Sequence, residues 1–112
     1  MIKMTLLSKT KKYFTKLGYD FVEDEQLYGY SGQLRCFDLL ISGKGNKRLV
    51  VVFDWKKTVG VDMIIKTDRE ASDVNLERPI IVAPKFSDHA RAYANRRGLS
   101  LITIHEIMSA IK

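Results

Sequence analysis

The chain has 112 residues, of which 46% are hydrophobic and 29% are charged, the size and balance of one soluble domain spanning residues 1–112. No apolar stretch approaches the roughly 20 residues that cross a bilayer, and the first residues lack the apolar core of a secretion signal. We therefore expect a cytoplasmic protein without a membrane span. The single cysteine, Cys36, excludes an internal disulfide and a zinc site built from cysteines.

Positive charge is concentrated near the N-terminus. The chain has 19 Lys and Arg against 13 Asp and Glu, a net charge of +6, and residues 1–19 contain five lysines and no acid. A basic surface attracts polyanions such as DNA, so we predict that Lys9, Lys12 and Lys16 contact nucleic acid. The same lysines also fit the solvated side of an amphipathic helix.

The first part of the chain predicts a helix and then a strand. Apolar side chains recur at spacings of three and four over residues 5–17, which is one face of a helix, and Gly18 supplies a stop. Apolar and polar side chains alternate over residues 19–23, which predicts a short, partly exposed strand.

Two stronger strands follow, over residues 34–42 and from residue 48 to about residue 56. Residues 43–47 are rich in Gly, Asn and Lys, so we predict a hairpin. Both strands are apolar on two faces, as is typical of strands that are covered on both sides in α/β proteins.

The second half changes to a helical period that alternates with short buried strands. In chain order the expected elements are a helix over 60–73, a strand over 79–83, a helix from the N-cap Ser87 to Gly98, a strand over 99–104, and a short last helix with Ile107, Met108 and Ile111. The order α-β-β-β-α-β-α-β-α predicts an α/β fold with a mixed central sheet flanked by helices. Its antiparallel opening excludes a doubly wound receiver-type fold.

The hairpin predicts a cluster of charges on an otherwise apolar sheet. A turn centred on Gly45 places Asp38 opposite Val52, so Asp38 and Asp54 become diagonal neighbours on one face, about 7–8 Å apart. Lys56 follows about 6.5–7 Å along the same face. A one-residue change in register would send Asp38 to the other face.

Two neighbouring carboxylates repel one another, and a hard divalent cation relieves that repulsion. Mg²⁺ is typically bound by one or two carboxylates, with waters and substrate phosphate as its other ligands. The same residues also fit an ordinary Asp–Lys surface pair at a strand end. The spacing alone leaves both interpretations open.

Phe37-Asp38, followed sixteen residues after Asp38 by Asp54-Trp55-Lys56, resembles the PD-(D/E)xK nuclease superfamily. The order of elements over essentially the whole chain is similar to its small members, the archaeal Holliday-junction resolvases and the Mrr-type restriction endonucleases. The resemblance implies a single-domain restriction-endonuclease-like fold.

The resemblance also implies a site and an activity. Asp38 and Asp54 correspond to metal ligands, the backbone carbonyl of Trp55 to a further ligand, and Lys56 to the catalytic lysine. The implied function is a DNA endonuclease of repair, recombination-junction or restriction type that uses Mg²⁺, or Mn²⁺, to hydrolyse phosphodiester bonds. We expect Lys57 to be a solvated or phosphate-contacting neighbour and not a second catalytic lysine. By analogy, we expect the protein to be a homodimer with two sites.

The chain departs from the family pattern in two places. Phe37 stands where the family has proline, and residues 5–17 contain no acid, although many resolvases carry a glutamate on the first helix. Glu23 and Glu25 are the candidates for replacing it. Two alternatives therefore stay open: a nucleic-acid-binding module of this fold that does not cleave, and a protein-interaction domain with an accidental DxK.

Overall fold

The structure, a computed structural model, describes residues 5–111, and its elements follow the predicted order. They are α1 (Leu6–Lys16), β1 (Asp20–Tyr28), β2 (Leu34–Gly43), β3 (Asn46–Val52), α2 (Val61–Asp73), β4 (Ile80–Ala83), α3 (Asp88–Arg97), β5 (Ser100–Thr103) and α4 (Ile104–Ala110). Within this part of the chain, no helix combines the length and apolarity needed to cross a bilayer.

The five strands form one mixed sheet in the order β1-β2-β3-β4-β5. The first three strands are antiparallel, whereas β3, β4 and β5 are parallel. The parallel strands are joined through α2 and α3, as parallel neighbours require. The predicted mixed α/β architecture is confirmed.

Helices cover both faces of the sheet. Leu6 and Phe14 of α1 and Ile107 of α4 pack against one face, which we call the α1 face. Ile64 of α2 and Ala90 of α3 pack against the other, which we call the α2 face. This double cover explains why the central strands are apolar on two sides.

The helix starts and one helix end follow local signals in the sequence. The side chain of Ser87 accepts a hydrogen bond from the backbone of Ala90, so the predicted N-cap is confirmed. Gly98 ends α3 in the left-handed region at φ 75°, where glycine is the favoured residue. Thr103 caps α4 in the same way as Ser87 caps α3. Strand β5 therefore ends at Thr103, one residue before the predicted end at Ile104.

Two other strand boundaries differ by more than two residues from the predicted ones. Strand β1 continues five residues beyond the predicted end at Glu23, to Tyr28, because it pairs with β2 along its length. Strand β3 ends at Val52 and not near Lys56, because its pairing with β2 ends at Val50 and its pairing with β4 ends at Val52.

The β2–β3 turn is tighter than predicted. Lys44 and Gly45 both have positive φ, at 53° and 80°, and the pair Gly43 and Asn46 closes the hairpin. Positive φ at both central residues is the pattern of a two-residue type I′ turn, whose twist matches that of the strands. The centre of the turn therefore lies between Lys44 and Gly45.

The register of the hairpin consequently differs by one residue from the prediction. Leu39 lies opposite Val50, so the prediction that Asp38 lies opposite Val52 is wrong. Cys36 lies opposite Gln26 in β1. In two regular strands this register would turn Asp38 toward the α2 face.

A kink in β1 and β2 reverses that effect. Phe37 packs in a cluster with Ala71 of α2, whereas Leu39 packs on the α1 face, although residues two apart in a regular strand share a face. The break lies at Asp38, and Asp24, on the opposite strand, has φ 50°. Such irregularities re-aim side chains in a sheet, and here the kink turns Asp38 to the α1 side.

Candidate functional site

The side chain of Asp38 accepts the hydrogen bond of a backbone amide at the carboxyl end of β3 that has no main-chain acceptor in β2. The amide of Phe53 donates to the carbonyl of Val82 in β4 at 2.8 Å, so the preceding amide, that of Val52, points the other way, toward β2. Because β2 turns aside at the kink, the amide of Val52 donates instead to Oδ2 of Asp38, at 2.7 Å. This bond fixes one oxygen of the carboxylate beside the carboxyl end of β3.

Asp54 lies on the α1 face, two residues beyond Val52. Its neighbour Phe53 packs on the α2 face, and the backbone amide of Leu6 donates to Oδ2 of Asp54 at 3.2 Å. Leu6 is the first residue of α1, and the unpaired amides at a helix N-terminus favour a negative charge. The start of α1 therefore holds the second carboxylate in place.

The two carboxylates are held in the same manner. Oδ2 of each carboxylate accepts a hydrogen bond from a backbone amide. Within residues 5–111, no hydrogen bond reaches Oδ1 of Asp38 or of Asp54. Both groups lie on the α1 side at the carboxyl end of β3. Two oriented carboxylates with an available oxygen each are the hard oxygen donors that Mg²⁺ prefers, so the residues fit this ion.

The surroundings of Asp38 disfavour its negative charge. Burial raises the pKa of the Asp38 carboxyl above its ordinary value of 3.8, and the nearby charge of Asp24 raises it further, while the bond from Val52 lowers it. Asp38 lines a cavity of about 280 Å³. The other lining residues are Asp24, Gln26, Cys36 and Phe37.

Asp24 is the acid that the sequence did not single out. Of the two candidates for replacing the missing helix acid, Glu23 pairs with Lys11 at 2.9 Å. Glu25 lies opposite Phe37, whose side chain packs on the α2 side. Asp24 shares the cavity of Asp38, and its backbone is left-handed at φ 50°, a conformation that hydrophobic alternation does not reveal.

Lys56 and Lys57 lie in a bend after Asp54. Lys56 is exposed, and no ion pair within 4.0 Å joins it to a carboxylate in the described part of the chain. Nζ of Lys57 lies 5.2 Å from the centroid of the Trp55 ring, which packs against the α2 face. The catalytic role of Lys56 and the ligand role of the Trp55 carbonyl stay predictions.

The lysines of α1 fall into two groups. Lys12 is exposed and Lys9 is half-buried, and neither forms an ion pair among residues 5–111. Lys16 donates to the carbonyl of Ala110 at 2.6 Å, which ties α1 to the end of α4. The predicted nucleic-acid contacts of these lysines are compatible with their position on the helix whose first residue, Leu6, contacts Asp54.

No family model and no curated protein sequence matches the chain. Solved structures do share its fold. The protein AF1548, of unknown function, has a TM-score of 0.79 at 14% identity, over 93% of this chain and 65% of that one. A repair endonuclease from Pyrococcus abyssi has a TM-score of 0.65 at 14% identity, over 93% of this chain and 48% of that one.

EndoMS, in a complex with dsDNA, has a TM-score of 0.60 at 14% identity, over 93% of this chain and 46% of that one. The chain thus spans between about half and two thirds of these proteins. At such identities the likeness concerns the fold alone. It confirms the predicted fold class, a small α/β domain with a mixed sheet flanked by helices.

The pKa of Asp38 predicts an unusual dependence of stability on pH. Because the folded-state pKa lies above the unfolded value, ionisation of Asp38 destabilises the fold at a pH above both values, and the effect fades as the pH falls through that window. We expect Asp38→Asn, which can still accept from Val52, to raise the free energy of unfolding near neutral pH more than near pH 3. Urea unfolding at the two pH values measures this difference.

Asp20→Asn serves as the control, since Asp20 is an exposed acid of β1 and its replacement makes the same change in net charge. A lower free energy of unfolding for Asp38→Asn at neutral pH would mean that the bond between charged Asp38 and Val52 outweighs the effects of burial and of Asp24.

Proposed function

We propose that the chain is a metal-dependent DNA endonuclease domain that hydrolyses phosphodiester bonds. The observation that carries the proposal is the pair Asp38 and Asp54, each held by a backbone amide at the carboxyl end of β3. The fold that this domain shares with a repair endonuclease and with a DNA-bound protein supports it. Repair, recombination-junction and restriction-type substrates all suit this chemistry.

Asp38 and Asp54 would hold Mg²⁺, or Mn²⁺, through Oδ1, with the carbonyl of Trp55 as a further oxygen. A bound divalent ion lowers the pKa of a water and stabilises negative charge on a phosphoryl oxygen. Lys56 follows Asp54 by two residues, and its ammonium group would orient the attacking water and neutralise charge that develops on the phosphate. Asp24 adds negative charge to the cavity that Asp38 lines.

The basic face of α1 would bring the DNA backbone to this pair. The helix begins at the residue that contacts Asp54, and Lys9 and Lys12 follow Leu6 by about 4.5 and 9 Å along the axis. Lys57 extends the positive charge beyond Trp55. A domain of this size encloses little of a duplex, so we further propose a homodimer that presents two sites.

A nucleic-acid-binding module without cleavage is the second candidate function. The observation that favours it is that the first turn of α1 has no acid. In place of a further carboxylate, this turn donates a hydrogen bond from the amide of Leu6 to Asp54. Such a module would bind DNA through the same lysines but leave it intact with either metal ion.

Two substitutions separate the proposed roles of metal ligand and catalytic lysine. Asp54→Asn keeps the size of the side chain and can still accept from Leu6, but it removes the charge that attracts the metal ion. Lys56→Ala leaves both carboxylates unchanged. We expect Asp54→Asn to lose Mg²⁺ binding and cleavage, and Lys56→Ala to cleave about 100-fold more slowly or worse while it retains Mg²⁺ and DNA.

The assays are Mg²⁺ titration calorimetry and nicking of branched and plain duplex DNA with Mg²⁺ or Mn²⁺. Asp62→Asn, at an exposed acid of α2, is the matched control and should behave as wild type. A wild-type protein that binds these DNAs but cuts none of them would favour the second candidate function. Cleavage by Asp54→Asn at the wild-type rate would contradict the proposed site.

The basic face of α1 predicts a dependence of DNA binding on salt. Lys9→Ala, Lys12→Ala and Lys16→Ala together should weaken binding and flatten the slope of log affinity against log salt by about one per lost phosphate contact. The loss should be similar across DNA sequences, since phosphate contacts carry no base information. Fluorescence anisotropy at several salt concentrations measures both quantities.

A triple substitution of Lys44, Lys66 and Lys85 by alanine removes the same charge from exposed positions outside α1 and controls for net charge. Equal salt slopes for the two triple variants would contradict phosphate contacts by the α1 lysines. These lysines would then contribute to solubility alone.

A further inference from the structure

A second charged cavity lies at the opposite end of the sheet from Asp54. It has a volume of about 330 Å³ at the amino ends of β3, β4 and β5. Arg48 lies six residues before Asp54, or about 20 Å along an extended chain. The residues that line this cavity, which we call the Arg48 cavity, are Asn46, Lys47, Arg48, Glu77, Arg78, Gly98 and Ser100.

Arg48 is oriented in the cavity by two neighbouring strands. Its Nε donates to the backbone carbonyl of Arg78 at 2.8 Å, and its Nη2 donates to Oγ of Ser100 at 3.1 Å. A guanidinium has five N–H donors, and these two bonds use two of them. The half-buried guanidinium is thus fixed in one plane with donors to spare.

Arg78 brings a second guanidinium to the same place. Its side chain passes over Gly98, where a Cβ atom would lie 3.7 Å from Nε of Arg78. Burial lowers the pKa of Arg48, the phenol of Tyr19 raises it, and the charge of Arg78 lowers it further. The half-buried Arg48 and the exposed Arg78 therefore repel one another.

No carboxylate offsets this repulsion at short range. Glu77 lines the cavity, but no ion pair within 4.0 Å joins it to Arg48 or Arg78 in the described structure. Three cationic side chains and one acid leave the lining with two excess positive charges. Arg48 is half-buried, whereas Lys47, Glu77 and Arg78 are exposed, and a half-buried cation beside like charges is stabilised by a counter-ion.

We propose that the Arg48 cavity binds a phosphate group, supplied by a nucleic-acid backbone or by a nucleotide. Planar guanidinium groups match the geometry of phosphate oxygens and donate to them in pairs. The hydroxyl of Ser100 and the ammonium of Lys47 add a donor and a charge on the same lining. This site uses neither Asp38 nor Asp54, so it does not depend on the proposed nuclease activity.

The first experiment is a titration with inorganic phosphate at constant ionic strength, monitored by NMR. We expect saturable shifts of the Arg48 Nε–H signal and of the backbone amides of Gly98 and Ser100. Arg78→Gln removes one guanidinium but keeps the backbone carbonyl that orients Arg48, so the fold is retained. This variant should bind phosphate about tenfold more weakly, which is about 1.4 kcal/mol, the scale of a lost charged hydrogen bond.

Lys44→Gln is the matched control, because Lys44 is exposed in the neighbouring turn and does not line the cavity. Its phosphate affinity should stay within about twofold of wild type. Absence of saturable shifts at these signals would overturn the proposal. So would equal phosphate affinities for Arg78→Gln and wild type, the result for an adventitious ion only.

Competition identifies the source of the phosphate. Displacement of inorganic phosphate by a short oligonucleotide would assign the cavity to a nucleic-acid backbone, and displacement by a mononucleotide alone would assign it to a nucleotide. Either result supports the proposal. If neither the oligonucleotide nor the mononucleotide displaces bound inorganic phosphate, both proposed sources are overturned and the cavity is a site for the free ion.

Discussion

The hydrogen bond from the amide of Val52 to Asp38 holds the candidate site together. It forms where β2 turns away from β3, and it supplies the partner that the main chain of β2 no longer provides. Without it, an amide inside the sheet would lose its acceptor, which costs about 1–3 kcal/mol when the group is buried. The same bond fixes Asp38 beside Val52, the last residue of β3, two residues before Asp54. The pairing of this amide and the position of the carboxylate therefore depend on one contact.

Much of the fold follows from the sequence, because hydrophobic period and capping residues determine which segments become helices and strands. Ser87 and Gly98 bound α3 as their chemistry requires. The hairpin register did not follow, because Lys44 adopts a left-handed conformation in the turn, which few non-glycine residues do. The face of Asp38 depends on the kink opposite Asp24, and side-chain alternation assumes strands without one. The predicted register was therefore wrong by one residue, and the kink was not foreseen.

Helix α1 serves the site in two ways. Its first amide contacts Asp54, so a helix N-terminus offsets part of the negative charge of that carboxylate. Its exposed side carries lysines in the direction away from that contact. At the other end of the sheet, Arg48 and Arg78 concentrate positive charge without a close acid. The net charge of +6 is thus distributed around a local negative centre, the pattern expected where a cation and a polyanion meet.

Anomalous diffraction from crystals grown with Mn²⁺ tests the central claim most directly, since it locates the ion itself and is independent of any cleavage assay. We expect one peak on the α1 side of the sheet, between Oδ1 of Asp38 and Oδ1 of Asp54, at close to the distance of about 2.1 Å that Mg²⁺ takes to oxygen. Its occupancy should fall when Mg²⁺ competes. Crystals at saturating Mn²⁺ that show no peak between these two oxygens, or a peak elsewhere on the domain alone, would contradict the assignment of Asp38 and Asp54 as metal ligands.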